Sequence, residues 1–138
     1  MNSEIIRLID EYSDQQDFSH AAPTQEAIAR AQQQLGVELP EQYVEFLLRY
    51  GDGGFEGFEI LGADLDGSMR FVEQTAEYRK LGLPNNLVVV EDCDEWVYCI
   101  DCGDGSVASW SPMDGPRTDY PDFGSFLLQR IRDSVEDM

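Results

Sequence analysis

Apolar residues recur along the first third of the chain in three helical stripes. Ile5, Leu8, Ile9 and Tyr12 fall on one face of a first helix, with Ser3 placed to cap it. Ile28, Ala31 and Leu35 give a second stripe. Thr24 stands at its N-cap, Glu26 lies in the first turn where the helix dipole favours an anion, and Gly36 is placed to end it. The third stripe is the broadest: Tyr43, Phe46, Leu47 and Tyr50 recur at i, i+3, i+4 and i+7. Pro40 suits the first helical position because no N–H is needed there, and Arg49 and Gly51 supply the stop.

The pattern then changes period. "GDGGFEGFEILG" predicts a glycine turn followed by a short strand at Phe58–Leu61, and residues 68–80 predict a helix capped by Ser68. "LVVVED" is a continuous β-branched run. "EWVYCID" alternates Trp96, Tyr98 and Ile100 against Val97, Cys99 and Asp101, "CGDG" turns, and "SVASW" returns. A closing helix is expected from Asp122, with Phe123, Phe126, Leu127, Arg130, Ile131 and Val135 mostly on one side, and "DSVEDM" as a frayed end. Helices gathered at the ends around hairpin-linked strands predict an α+β domain on a largely antiparallel sheet, a single domain over residues 1–138.

Charge narrows the possible partners. The 138 residues carry 28 acidic and 9 basic side chains, a formal charge of −19. Such a field repels nucleic acid and anionic membrane surfaces and attracts a cationic partner. Acidity that merely keeps proteins apart gives the same composition. The amino terminus lacks the basic-then-apolar order of a secretory signal, and no run reaches the length of a membrane helix. Three closely spaced cysteines, Cys93, Cys99 and Cys102, do not make a disulfide framework and fit a reducing cytoplasm.

The glycine cluster is not a phosphate loop, because it follows a helix and precedes a strand, and Asp52 and Glu56 would repel the ligand. "GADLDGSMRFVE" has half of a calcium loop in Asp64, Asp66 and Glu73, but Gly62 holds the first ligand position; an Asp-Gly turn is the plainer account. Cys99 and Cys102 have zinc-knuckle spacing, yet a closed site needs Cys93 and the single His20 as well, so strand packing is again the plainer account. Hydrolysis by a nucleophile and base would also have to recruit His20, and no serine stands in a nucleophile-elbow context. No catalytic residue, metal or cofactor is expected. More informative are Glu91, Asp92, Asp94, Glu95, Asp101 and Asp104, which crowd the ends of two strands near Trp96 and Trp110. A carboxylate rim around an aromatic anchor suits a cationic protein partner. A solvated turn beside core tryptophans fits equally, and the placement of the indoles decides.

"LGVELPEQYVEFLLRYGDGG" resembles the signature of the SUKH superfamily, the domain of a yeast cell-wall assembly regulator and of many small bacterial proteins. The matching positions are Leu35, Gly36, Leu39, Pro40, Tyr43, Phe46, Leu47, Tyr50, Gly51, Gly53 and Gly54. "NNLVVVEDCDEWVYCIDCGDG" and "FGSFLLQRI" are similar to the family's central strand pair and last helix. The resemblance implies a curved sheet flanked by helices, no catalysis, and for single-domain bacterial members an immunity role: neutralising a polymorphic or contact-dependent toxin, often a nuclease. The alternatives are an adaptor in envelope regulation and a small-ligand or metal-binding domain. On the immunity reading the partner is a basic toxin domain. The expected contacts are Asp92, Asp94, Glu95, Trp96 and Asp104, and secondarily Asp52, Phe55 and Glu56 beside the glycine corner.

Overall fold

The computed structural model describes residues 2–12, 17–64 and 68–136. The first helix, α1 (Ser3–Glu11), is capped one residue earlier than expected, by Asn2, whose Oδ1 accepts from the Glu4 N–H at 2.8 Å. Helix α2 (Gln25–Leu35) starts at Thr24, whose hydroxyl accepts from the Ala27 N–H, and ends at Gly36 with φ 70°. That left-handed conformation is open to glycine at little cost. Helix α3 (Glu41–Tyr50) follows, with Pro40 at the cap rather than inside the first turn. Its four stripe residues are all buried, and the Tyr43 hydroxyl donates to the Leu61 carbonyl at 2.6 Å.

The glycine corner is a place where backbones cross closely. Strand β1 (Asp17–Phe18) pairs antiparallel with β2 (Gly53–Gly54), and Gly53 also exchanges both backbone bonds with Ile60. A Cβ on Gly54 would run into the Phe58 carbonyl, and one on Gly62 into the Gly51 carbonyl. The strand expected at Phe58–Leu61 is reduced to that single bridge at Ile60, because Leu61 turns its N–H to Val90 instead, at 2.7 Å.

Helix α4 (Arg70–Arg79) begins after Met69, and Ser68 does not cap it. The main sheet then forms from β3 (Leu87–Asp92), β4 (Val97–Asp101), β5 (Val107–Ser111) and β6 (Gly115–Tyr120), antiparallel throughout in the order β3-β4-β5-β6. Sequence pattern did not announce β6. Its residues "GPRTDY" are polar and include Pro116, a composition tolerated only on an edge strand. Helix α5 (Phe123–Glu136) is capped by Asp122, whose Oδ1 accepts from the Ser125 N–H at 2.8 Å; this bond holds the Asp122 carboxyl below its ordinary range. The expected fraying from Asp133 does not occur through Glu136. Ser134 is buried and donates its hydroxyl to the Glu56 carbonyl at 2.6 Å. Residues 137–138 lie outside the described part.

Helices cover both faces of the sheet. Tyr98 meets Phe126 of α5 at 5.0 Å between ring centroids, whereas Trp110, opposite the preceding residue of β4, Val97, meets Tyr78 of α4. Neighbouring strand residues point to opposite faces, so α5 and α4 sandwich the sheet. One continuous hydrophobic core runs through all five helices and strands β3 to β5.

Candidate partner-binding face

A β-bulge at Val90 organises this face. Val89 lies opposite Cys99 but Glu91 lies opposite Tyr98, so Val90 is an extra residue in β3. Without it Glu91 would oppose Val97 and point toward α4; one added residue moves it to the α5 face. There Glu91, only 3% exposed, accepts two bonds from Arg130 of α5, at 2.9 and 2.7 Å. The Arg130 guanidinium also lies over the rings of Phe58 and Tyr98, at 5.6 and 5.8 Å, and reaches the Gly57 carbonyl at 3.5 Å. Burial pushes the Glu91 carboxyl above its ordinary range despite this partner. At Arg130 burial lowers the guanidinium, but the bonds and charge of Glu91 together with Cys93 and Tyr98 leave it raised. The Arg130 guanidinium is therefore engaged inside the protein.

Just beyond Glu91 the chain makes a tight turn. Cys93 N–H donates to the Trp96 carbonyl and Glu95 N–H to the Cys93 carbonyl, both at 2.9 Å, with Asp94 at φ 68°. A three-residue bond around a positive φ is the strained γ-turn, which a non-glycine residue seldom adopts. Asp92 braces it. Its Oδ1 accepts from the Asp94 N–H at 2.9 Å and its Oδ2 from the Tyr78 hydroxyl at 3.0 Å. Burial, then the bond to Asp92, push the Tyr78 phenol up to about 12. Asp94 and Glu95 are left exposed at the tip.

The indoles separate cleanly. Trp110 is buried against α4, while Trp96 is 40% exposed and stands edge-on to Tyr98 at 6.3 Å. Strand register brings the β5–β6 turn to the same sheet end, since Val97 pairs with Trp110 and Ser111 with Gly115. That turn holds Met113, 95% exposed, and Asp114, whose N–H donates to the Ser111 hydroxyl at 3.1 Å. Between the two turns lies a shallow groove of about 510 Å³, lined among others by Glu95, Trp96, Tyr98, Asp114 and Arg117. Arg117 is bonded to Asp119 at 2.9 Å. Among the described residues, no ion pair engages Asp92, Asp94, Glu95 or Asp114, although six of the nine cations are in ion pairs. Met113 and Asp114 were missed in the sequence. The available signal was a large apolar residue inside "SPMDGP", a turn composition that buries nothing.

The other expected contacts lie elsewhere. Asp104 belongs to the β4–β5 turn, at the opposite end of β4 from Trp96. Its Oδ1 accepts from the Ser106 hydroxyl at 2.6 Å and N–H at 2.9 Å; these bonds lower its carboxyl and close the turn. Adjacency in sequence had hidden that successive hairpin turns alternate ends. Asp52 and Phe55 are only 8% and 5% exposed. Burial raises the Asp52 carboxyl, while Phe55 packs among Tyr12, Phe18 and Phe58. Glu56 is exposed beside them, and its carbonyl takes the Ser134 bond.

Of the calcium half-loop, Asp64 spends its Oδ1 on the Ser68 N–H at 3.2 Å and Glu73 sits in α4, while Asp66 lies outside the described residues. All three cysteines are free. Burial pushes Cys93 up to about 12, Cys102 up to about 11 and Cys99 higher still, so all three rest as protonated thiols. Among the described residues no group of three or more His, Cys, Asp or Glu could hold a metal, and no helix is long and apolar enough to cross a membrane.

A protein-family model, SUKH_5, described as SMI1-KNR4 cell-wall, matches residues 2–132, nearly the whole chain. The chain belongs to the SUKH superfamily. The fold of this SUKH protein recurs in a crystal structure of a protein from Pseudomonas syringae pv. tomato. The TM-score is 0.74 at 20% identity, covering 92% of this chain and 98% of that one. At that identity the likeness is one of fold. The SUKH signature residues are accordingly scaffold: Leu35, Leu39, Tyr43, Phe46, Leu47 and Tyr50 are buried, and Gly51 and Gly54 sit at the close crossing.

Proposed function

We propose that this SUKH protein is a non-catalytic immunity protein that binds and neutralises a basic toxin domain through the Trp96 end of its sheet. The observation that carries the reading is the Trp96 indole, 40% exposed, at the same sheet end as Met113 and the carboxylates of Asp92, Asp94, Glu95 and Asp114, while the Arg117 guanidinium that also lines the groove is bonded to Asp119. Aromatic and methionine anchors inside a polar rim are the anatomy of a protein interface, and a one-sign rim speeds encounter with an opposite charge. The strained Asp94 turn agrees, since strain persists where a surrounding structure such as the Asp92 brace over-determines it. A nuclease toxin fits the charge best, because its basic substrate cleft would accept an acidic surface in place of nucleic acid. Three free cysteines suit action in the cytoplasm.

A second reading, an adaptor in cell-envelope regulation, is favoured by the cell-wall description of the matching family. Co-expression with the product of the adjacent gene separates the two. Protection is expected with the native protein and its loss with Asp94→Lys/Glu95→Lys, at unchanged protein level. An adjacent gene product that is not toxic, but is captured by the native protein, moves the assignment to the adaptor.

A further inference from the structure

A second surface, on the helical side of the molecule, has its own floor and charge. Helices α2 and α3 enclose a groove of about 510 Å³ between their outer faces. On α3, Val44 and Leu48 are one turn apart and form an apolar ridge; on α2, Gln25, Ala29 and Gln32 form the facing one. Ile28 and Leu39 close the floor from below, both buried. The loop between the helices is fixed, because Gln32 Oε1 accepts from the Leu39 N–H at 2.8 Å. Leu48 is 37% exposed, one of four large apolar side chains left open among the described residues. Trp96 and Met113 belong to the sheet end described above; Leu48 does not.

All the titratable residues lining this groove are acids: Glu38, Glu41 and Glu45. A second copy of a chain with charge −19 is a poor occupant, and so is an anionic surface. A trough between two helix ridges accepts a third helix more naturally than a strand, for which the unpaired edge is at β6. We infer that the α2–α3 groove docks a basic amphipathic helix of a partner protein, laying its apolar stripe on Val44 and Leu48 and its lysines or arginines against Glu38 and Glu41. The inference does not rest on the sheet-end reading, and the two surfaces can be tested apart.

The test uses a fluorescently labelled synthetic peptide of about 15 residues, long enough to span the groove as a helix. Leucines at i, i+3, i+4 and i+7 are set among lysines. Control peptides replace its leucines with serine, or its lysines with glutamate. Anisotropy titrations are run on the native protein, Leu48→Ser, Glu38→Lys and Asp94→Lys/Glu95→Lys, each checked by circular dichroism. The Lys/Leu peptide is expected to bind at least about tenfold more tightly than either control. Leu48→Ser and Glu38→Lys are each expected to weaken it by about tenfold, and the sheet-end double variant to leave it within about twofold. Equal binding of the Lys/Ser peptide, or no effect of Leu48→Ser, overturns the inference by reducing the attraction to net charge. A concentration-dependent dimer of the native chain that Leu48→Ser abolishes in sedimentation also overturns it, by giving the groove to a second copy.

Discussion

Arg130 and Glu91 do more for this molecule than their single ion pair suggests. The guanidinium joins α5 to the bulged end of β3, lies over two rings and touches the glycine-corner loop, all directly behind Trp96. A buried pair of this kind is worth little against an apolar replacement, but removing one partner strands a charge. Arg130→Ala is therefore expected to cost about 3–5 kcal/mol in urea unfolding, and Glu91→Leu/Arg130→Met less than about half of that. A double variant no more stable than the single one would contradict this view of the pair. Neither residue could be matched to the other in the sequence. Glu91 read as one acid among six, and only the extra residue at Val90 turns it toward α5. A bulge leaves no mark in a run of four apolar residues.

Elements with both ends written in their own residues were legible. Helix α2 has Thr24 and Gly36 and α3 has Pro40 and Gly51, each within a residue of its expected place, whereas α5 was legible only at its start, Asp122. Elements defined by a partner across space were not. Strand β6 exists because β5 offers a ladder to a polar edge, and the expected strand at Phe58–Leu61 shrinks because Leu61 bonds Val90. The opposite edge of the sheet, β3, is closed by a side chain: the Thr75 hydroxyl, fully buried in α4, accepts from the Val89 N–H at 2.9 Å. Thr75→Val keeps the shape and orphans that donor. A loss of about 1–3 kcal/mol is expected in the same urea assay, with faster amide exchange at Val89. Unchanged exchange there would mean that the edge is protected by packing alone.

Taken whole, the molecule combines a neutral core with a strongly negative exterior, and this sets its response to pH. Burial raises the carboxyls of Asp52 and Glu91 above their ordinary values of 3.8 and 4.5, so the folded state holds these protons more tightly than the unfolded chain. Stability from such groups is lost as pH rises through their raised values and recovered as pH falls. Relief of repulsion among 28 acids acts in the same direction. Asp104 and Asp122 act oppositely, but only below 3.8, since their carboxyls are lowered. Tm is expected to be higher at about pH 5 than at pH 7 in buffers of equal ionic strength; a fall on acidification across that window would contradict the assignment.

The same exterior supplied the first clue to function and could not supply the site. Composition bears on the sign of the proposed partner, and the SUKH signature on the scaffold. Which carboxylates share a sheet end followed from hairpin geometry, which puts the Asp94 and Asp114 turns at one end and Asp104 at the other. The central claim of the proposed function is that this end, and not the Asp104 turn, grips the toxin. Calorimetric titration of the purified toxin domain into native protein, Asp94→Lys/Glu95→Lys and Asp104→Lys tests it most directly. We expect the double variant to weaken binding by about a hundredfold or more and Asp104→Lys to change it less than about threefold. Equal losses in both variants, or none in the double variant, would contradict the account.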